Sequence, residues 1–212
     1  MRLATRVPID ERFPRRPRLG QARVLPFPRT MPEFRSTEAG DPGSGVFSLT
    51  QIRHLMRVEF SRAQRYSYPV SCIVIAVDRL DHLRDLYGYE FQDAVLQDVI
   101  ELVQAQTRTC DYLGRLVDDR LMAVLPHTDQ EGALVTARRI LSAARGLGVE
   151  AEGHRLQITV SIGISHFEDD NTMFFDSLVE SAEAALSQAI QTGGDRSVYC
   201  APGSEEADAL RS

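Results

Sequence analysis

Lysine is absent from this chain of 212 residues, because all 24 of its basic residues are arginine. Its absence excludes mechanisms that need a lysine amine, such as a Schiff base or a phosphate-binding P-loop. The three cysteines, Cys72, Cys110 and Cys200, are too few and too scattered for a zinc cluster or a disulfide framework, and they suit a reducing compartment. No apolar run is long enough to cross a membrane, and no apolar secretory signal is present. We therefore expect a cytoplasmic protein with no membrane partner.

The charge of the chain is unevenly distributed. The formal net charge of −6 argues against a general nucleic-acid binder, so no DNA partner is expected. Residues 1–45 hold nine arginines, five acidic residues and seven of the ten prolines, which predicts a disordered basic arm. The sequence then predicts one domain over residues 46–200 and a disordered tail over 201–212. The arm could lie on its own domain, dock on a protein partner, or extend as a solvated tail.

The hydrophobic pattern of the predicted domain alternates helices with strands. Ser48 is a candidate N-cap for a first helix, and the continuous β-branched run Val70–Val77 predicts a buried central strand. Further helices are predicted over 79–87, 91–106, 130–145 and 173–192, and further strands over 112–116, 121–125, 156–165 and 196–200. This order predicts an α/β fold in which helices flank a mixed sheet.

Carboxylates are concentrated at the end of the first predicted strand and in the turn of the predicted hairpin. Asp78 follows that strand, and Asp118 and Asp119 lie in the turn over 117–120. Carboxylates on rigid elements are how a metal site for phosphoryl transfer is built. A polar turn is the alternative interpretation of the same residues.

Four stretches of the sequence, taken together, resemble the GGDEF domain of diguanylate cyclases. They are IAVDRLDHLRDLYGYEFQDAVL (75–96), RTCDYLGRLVDDRLMAVLP (108–126), ITVSIGIS (158–165) and SAEAALSQA (181–189). The resemblance covers roughly residues 46–200. It implies a mixed sheet like that of the palm of adenylyl cyclases and polymerases.

Several active-site positions of the family carry other residues here. The first metal-binding aspartate falls on Ala76, whereas the second is kept as Asp78. The signature GGDEF reads Val117-Asp118-Asp119-Arg120-Leu121. A family lysine falls on Asp81, the guanine-contacting asparagine falls on Arg84, and the histidine falls on Tyr89. The phosphate-binding lysine and arginine fall on Ile190 and Gly194. The guanine-contacting aspartate is kept as Asp93.

These departures predict a chain that is not an enzyme, with no catalytic residue, no bound metal and no magnesium cofactor. Ala76 removes a ligand, and the cation of Arg120 would repel Mg²⁺. Side chains at 117 and 118 occupy positions where glycines let a nucleotide approach the backbone. The vestigial active site would then consist of structural residues: Asp78, Asp93, Val117, Asp118, Asp119 and Arg120. We expect Asp78 and Asp119 to pair with Arg120.

The resemblance also implies a ligand site. Cyclases that are inhibited by their product carry an RxxD motif that binds cyclic di-GMP, and here it is Arg108-Thr109-Cys110-Asp111. Arg139 and Arg62 match further arginines that the family recruits. A guanidinium can meet guanine O6 and N7 or a phosphate, and a carboxylate can accept from guanine N–H groups. The alternative is that Arg108 and Asp111 merely cap a helix end and a turn.

The sequence thus predicts an inactive GGDEF-domain protein that acts as a cyclic di-GMP receptor. It would signal to a protein partner, through the arm over residues 1–45 or through a ligand-bridged dimer. Two alternatives stay open: a nucleotide-independent scaffold that uses the arm, and a regulatory domain that binds GTP through Asp93.

Overall fold

The computed structural model describes residues 45–151, 154–167 and 174–202. The helices are α1 (Leu49–Tyr66), α2 (Leu80–Tyr87), α3 (Tyr89–Gln106), α4 (Gln130–Gly146) and α5 (Phe175–Gln191). The strands are β1 (Val70–Val77), β2 (Tyr112–Arg115), β3 (Leu121–Pro126), β4 (Gly148–Ala151), β5 (His154–Gln157), β6 (Val160–Phe167) and β7 (Ser197–Tyr199). The predicted arm over 1–45 and tail over 201–212 lie outside the described residues, apart from Gly45 and residues 201–202.

A capping box starts α1 where the sequence predicts it. The Ser48 hydroxyl accepts from the backbone N–H of Gln51 at 3.4 Å, and the Gln51 side chain accepts from the Ser48 N–H at 2.9 Å. Two N–H groups that the helix itself leaves without partners are satisfied in this way. Ser67, in the left-handed conformation, ends the helix and sends the chain into β1.

The main sheet has five strands in the order β2-β3-β1-β6-β7. The central strand β1 is antiparallel to both β3 and β6, whereas β7 is parallel to β6. The predicted mixed sheet flanked by helices is therefore confirmed.

Two helix layers cover the two faces of this sheet. Cys72 and Val74 of β1 pack with residues of α1 and α5 on one face. Ile73 and Ile75 pack with residues of α3 and α4 on the other, as the alternation of side chains along a strand requires.

In the described part of the chain, no helix combines the length and the apolar character that crossing a bilayer requires.

One predicted strand is divided in the structure. The run predicted over 156–165 forms the end of β5 and most of β6, with a break at Ile158 and Thr159. The backbone carbonyl of Thr159 accepts from the N–H of Asp78 at 3.0 Å. The strand β5 pairs with β4, which the sequence did not predict, in a separate two-stranded sheet. Four-residue strands carry too little periodicity to be recognised alone.

Gly163 in β6 allows α5 to lie directly on the sheet. A Cβ atom at this position would lie 2.0 Å from the carbonyl oxygen of Ala182 and 2.3 Å from the amide nitrogen of Leu186. Both atoms belong to the helix backbone and cannot move aside without shifting α5.

We therefore predict that Gly163→Ala lowers the free energy of unfolding by about 1–3 kcal/mol, because it overpacks the contact between strand and helix. Urea denaturation measures this change. Gly146→Ala is the matched control, since a Cβ there meets nothing within 4 Å. Equal unfolding midpoints for the two variants would contradict the prediction.

Candidate functional site

Arg108 and Asp111 line a groove between the end of α3 and the start of α4. We call this groove of about 310 Å³ the Arg108 groove. Its lining also includes Gln106, Thr128, Asp129, Glu131, Gly132 and Arg139. A second depression of about 230 Å³, lined in part by Phe47 and Thr109, adjoins it, because Arg108 and Asp111 line both. The two predicted ligand residues therefore face open space and are not locked into the core.

A tight turn holds Asp111 in place. Its Oδ2 accepts from the backbone N–H of Arg108 at 2.7 Å, and its own N–H donates to the Arg108 carbonyl at 3.0 Å. Partial burial raises the pKa of the Asp111 carboxyl, while the hydrogen bond and the charge of Arg108 oppose that shift. The turn predicted as the alternative role of Asp111 is thus present, yet it leaves Oδ1 with only the Cys110 thiol, at 3.9 Å.

Two arginines bring positive charge to the Arg108 groove from different elements. Within the described residues, the guanidinium of Arg108 donates no hydrogen bond to a neighbour, and the residue is exposed. Arg139 reaches the groove from α4, and its Nε donates to Oε1 of Gln106 at 3.4 Å. Gln106 was not singled out from the sequence, although it is the last residue of α3 and holds this arginine at the groove.

Arg62 lies on a different surface. It belongs to α1, which covers the opposite face of the sheet from α4, and its guanidinium approaches Glu59 at 3.5 Å. It is not among the residues that line the Arg108 groove. The structure therefore brings together three of the four predicted ligand residues.

The turn between β2 and β3 forms ion pairs other than the predicted ones. Arg120 pairs with Asp118 and with Glu183 of α5, and not with Asp78 or Asp119. Asp119, whose φ of 62° is left-handed, accepts instead from Arg115. The turn geometry aims the two neighbouring carboxylates at different partners, which spacing along the sequence does not reveal. Val117 at the tip is 85% exposed.

Gln92 ties the same turn to α3. It occupies the position of a glycine in the family pattern, is buried, and donates from Nε2 to Oδ2 of Asp119 at 2.7 Å. The Gln92 Oε1 atom is buried and has no hydrogen-bond partner. Among the described residues it is the one buried side-chain nitrogen or oxygen of which this is true. Arg115 also approaches the exposed Asp93 at 3.6 Å, so the retained aspartates 93 and 119 share one cation.

Asp78, at the carboxyl end of β1, is hydrogen-bonded within its own chain. Its carboxylate accepts from the hydroxyls of Thr159 at 2.8 Å and Ser161 at 2.6 Å, and from the backbone N–H of Asp195 at 3.0 Å. Thr159 immediately precedes β6 and Ser161 lies within it, and this spacing of two residues in an extended segment is a signal present in the sequence but not used. A Cβ at Gly194 would lie 2.9 Å from Oδ1 of Asp78, so close approach favours glycine here.

The oxygen atoms around Asp78 are the candidates for ligands of a magnesium ion. Mg²⁺ takes six oxygen ligands in octahedral geometry, usually including carboxylates. Three donors from the chain surround the Asp78 carboxylate, and Ala76 supplies no oxygen from its side chain. No group of three or more His, Cys, Asp and Glu side chains suited to a metal occurs among the residues described. In the described conformation the Asp78 carboxylate is therefore occupied by donors of its own chain.

The two candidate sites lie at opposite ends of the sheet. The 117–120 turn and Asp78 are at the carboxyl end of β1, where Ile75 pairs with Leu121. The Arg108 groove is at the other end, where Val70 pairs with Pro126. The length of β3, about 20 Å, separates them.

Comparisons with known proteins place these motifs in a family. The sequence profile described as "Diguanylate cyclase, GGDEF domain" matches residues 39–196. Diguanylate cyclase A of Treponema denticola is 27% identical over 68% of this chain and 38% of its own length. Diguanylate cyclase DosC of Escherichia coli is 27% identical over 67% of this chain and 31% of its own. The chain thus spans about a third of the length of these curated relatives.

Solved structures resemble the fold closely. The diguanylate cyclase SiaD of Pseudomonas aeruginosa, solved in complex with its activator SiaC, is similar with a TM-score of 0.70 and 26% identity, covering 76% of this chain and 61% of that one. The GGDEF domain of DgcB from Caulobacter crescentus, solved with c-di-GMP, is similar with a TM-score of 0.70 at 17% identity, covering 80% and 99%. The second likeness shows the fold alone.

The prediction that this chain is not an enzyme is wrong. The family whose profile it matches is enzymatic, and its relatives at 27% identity are named diguanylate cyclases. Differences such as Ala76 and Arg120 are features of this chain's sequence, and they do not set it apart from a family of enzymes.

We predict that Asp78→Ala lowers the free energy of unfolding by about 1–3 kcal/mol. The substitution leaves the part-buried hydroxyls of Thr159 and Ser161 and the backbone N–H of Asp195 without their acceptor. Chemical denaturation monitored by circular dichroism measures the change. Asp81→Ala is the control, since Asp81 is exposed and pairs only with Arg84. A loss of stability no larger than that of the control would refute the structural role of Asp78.

Proposed function

Because this chain belongs to the GGDEF family of diguanylate cyclases, we propose that its Arg108 groove binds cyclic di-GMP. The observation that carries the proposal is the convergence of Arg108, Asp111 and Arg139. Arg139 belongs to α4, and the β2–β3 hairpin separates it in sequence from Arg108 and Asp111. It nevertheless lines the same groove as those two residues. An RxxD motif that occurred by chance would have no reason to meet a third matching residue.

The groove offers what each part of the dinucleotide needs. A guanine presents acceptors at O6 and N7 that the fork of an arginine can meet together. The free Oδ1 side of Asp111 can accept from the guanine N1–H and N2–H groups. The second guanidinium is available for a phosphate, for which charge-assisted hydrogen bonds are strong. The negative charge of Asp129 and Glu131 on the same wall limits how many phosphates can approach.

A known GGDEF structure supports the ligand class. The GGDEF domain of DgcB was solved with c-di-GMP, and its fold covers 80% of this chain. That likeness supports the proposal that this fold can hold the dinucleotide. The match of Arg108 and Asp111 to the RxxD motif supports the Arg108 groove as its binding site.

Arg62 fits the proposal when two copies are considered. It lies on α1, away from the groove of its own chain, and it is exposed. A dinucleotide bound in one groove would present its outer face to Arg62 of a second copy, which gives a ligand-bridged dimer. The signal would pass to a protein partner, for which the complex of SiaD with its activator is a precedent in the fold. The basic arm over residues 1–45 is the segment proposed for that contact.

The binding proposal does not depend on turnover. Incubating the protein with GTP and Mg²⁺ and measuring dinucleotide formation determines whether the bound ligand is this chain's own product or arrives from elsewhere. Binding of GTP that competes with cyclic di-GMP would place both nucleotides in the Arg108 groove. Binding without competition would assign GTP to the region of Asp93.

We predict that Arg108→Ala weakens cyclic di-GMP binding by about 1–3 kcal/mol, or about 5- to 150-fold, since it removes a guanine-recognising fork. Isothermal titration calorimetry measures the affinity, and Arg139→Ala should act in the same direction. Arg138→Ala is the control, because Arg138 is on the same helix but donates to the carbonyl of Leu134. Absence of binding heat with the unmodified protein, or equal affinities in all variants, would leave the nucleotide-independent scaffold as the better account.

Cys110 gives a second and independent measurement. It is the exposed cysteine of the chain, while Cys72 and Cys200 are buried, and its sulfur contacts Asp111. We expect saturating cyclic di-GMP to slow the reaction of this thiol with a maleimide, because the ligand would cover it. The Arg108→Ala variant should lose this protection. An unchanged labelling rate in the unmodified protein would argue against occupation of the groove.

A further inference from the structure

The outward side of α1 carries two adjacent rows of exposed side chains, which we call the α1 basic face. One row is Arg53, Arg57, Ser61 and Arg65, and the other is His54, Val58, Arg62 and Tyr66. Residues four apart lie above one another on a helix, so each row runs along the helix axis for about 18 Å. The opposite side of α1 is packed against the sheet.

A single carboxylate on α1, that of Glu59, accompanies these cations, and among the described cations it pairs with Arg62 alone. The one acidic residue of the helix, Glu59, is buried and accepts from the hydroxyl of Tyr68 at 2.6 Å. Arg62 reaches it only at 3.5 Å and keeps 60% of its side chain exposed. The positive charge of the face is therefore directed to solvent.

Several arginines elsewhere in the domain are paired with acidic residues, although among the described residues Arg108, Arg138 and Arg139 are not. Arg84, Arg115, Arg120 and Arg145 each form an ion pair with an aspartate or a glutamate. On the α1 basic face, by contrast, the described residues show no ion pair for Arg53, Arg57 or Arg65. Two of these guanidinium groups lie over aromatic rings, Arg57 over Phe175 at 4.9 Å and Arg65 over Tyr66 at 5.5 Å. A guanidinium stacked in this way keeps its N–H edge free for an anion.

The charge of the whole chain is divided in the same place. Residues 1–66 contain 13 arginines and 6 acidic residues, a net charge of +7, whereas residues 67–212 contain 11 arginines and 24 acidic residues, a net charge of −13. The α1 basic face thus belongs to the positive part of a chain that is otherwise strongly acidic. Such a division favours a partner that touches one face only.

Apolar side chains accompany the cations. Tyr66 is 65% exposed in the second row, and Phe174, also 65% exposed, precedes the Phe175 ring that Arg57 covers. Basic helices that also expose aromatic and aliphatic side chains are typical of association with the surface of an anionic bilayer. A nucleic-acid duplex would use the cations, but its stacked bases would gain little from these apolar groups.

We propose that the α1 basic face docks on a bilayer surface rich in anionic phospholipid. The guanidinium groups of Arg53, Arg57, Arg62 and Arg65 would bind phosphate oxygens of the headgroups. Tyr66 and Phe174 would lie at the level of the headgroups, with the helix parallel to the surface and no part of it crossing. The docking requires neither cyclic di-GMP nor turnover, so it stands apart from the function proposed for the Arg108 groove.

Sedimentation of the full chain with vesicles tests the proposal. We expect binding to vesicles of equal parts phosphatidylglycerol and phosphatidylcholine, little binding to pure phosphatidylcholine, and release as salt is raised. The double variant Arg53→Glu with Arg57→Glu should lower the partition coefficient on the order of tenfold or more. The control variant Arg138→Glu with Arg155→Glu makes the same change of charge at exposed positions on α4 and β5, and it should bind nearly as the unmodified protein does.

Each other outcome overturns the proposal. Absence of binding to the anionic vesicles, or equal binding to both kinds of vesicle, removes the anionic surface as the partner. Equal losses in the two double variants show attraction to net charge and not to this face. Binding of a short DNA duplex that the α1 variant abolishes, without binding of vesicles, assigns the face to nucleic acid. Circular dichroism and urea midpoints of both variants show that each is folded.

Discussion

The central strand β1 is buried on both faces and hydrogen-bonded along both edges, to β3 and to β6. A strand in this position needs apolar side chains on both sides, and Val70–Val77 supplies them in an unbroken run. The two helix layers follow from it, since α1 and α5 must cover one face of the strand and α3 and α4 the other. Gly163 then determines how closely α5 approaches the sheet, because the backbone of α5 occupies the space that a Cβ atom at this position would need. Both candidate sites are placed by the two ends of this strand.

The two ends differ in how the chain uses its polar groups. At the carboxyl end, Asp78 is held by Thr159, Ser161 and the backbone of Asp195, and Asp119 is held by Gln92 and Arg115. The polar groups there are paired with one another. At the opposite end Arg108 lines a groove in which no described residue accepts a hydrogen bond from its guanidinium, and Asp111 is fixed by a turn that leaves Oδ1 with only the Cys110 thiol. The proposed recognition of a guanine depends on this accessible cation beside a fixed carboxylate.

Charge gives the domain a third distinct surface. Arg84 of α2, Arg145 of α4 and the arginines around the β2–β3 turn are paired with nearby acids, whereas the described residues show no ion pair for Arg53, Arg57 or Arg65 on the outside of α1. Because α1 and α4 cover opposite faces of the sheet, the groove and the α1 basic face do not compete for the same ligand. The two proposals share Arg62, so a copy that docks on a bilayer through Arg62 would not offer this residue to a dinucleotide held by a second copy.

Local rules in the sequence determined much of this protein. The capping box at Ser48, the limits of β1 and the β2–β3 hairpin follow from residue types a few positions apart, and four ordered motifs resemble the family that residues 39–196 match. The division of the 156–165 run into β5 and β6 was not predicted, because β4 and β5 are short and pair only with each other. Whether the chain belongs among enzymes was also not decided by its substituted motif positions, and the prediction made from them was wrong.

The tertiary structure alone decided which charged groups meet. Spacing predicted that Asp119 would pair with Arg120, but the left-handed backbone at Asp119 turns its carboxylate to Arg115 and leaves Arg120 to Asp118. Spacing likewise grouped Arg62 with Arg108 and Arg139, but α1 and α4 are on opposite faces of the sheet, so only Arg139 reaches the groove. Sequence patterns determine which residues a segment buries, because burial follows local periodicity. The partner of a long charged side chain depends on the relative placement of whole elements, which is settled only when the layers pack.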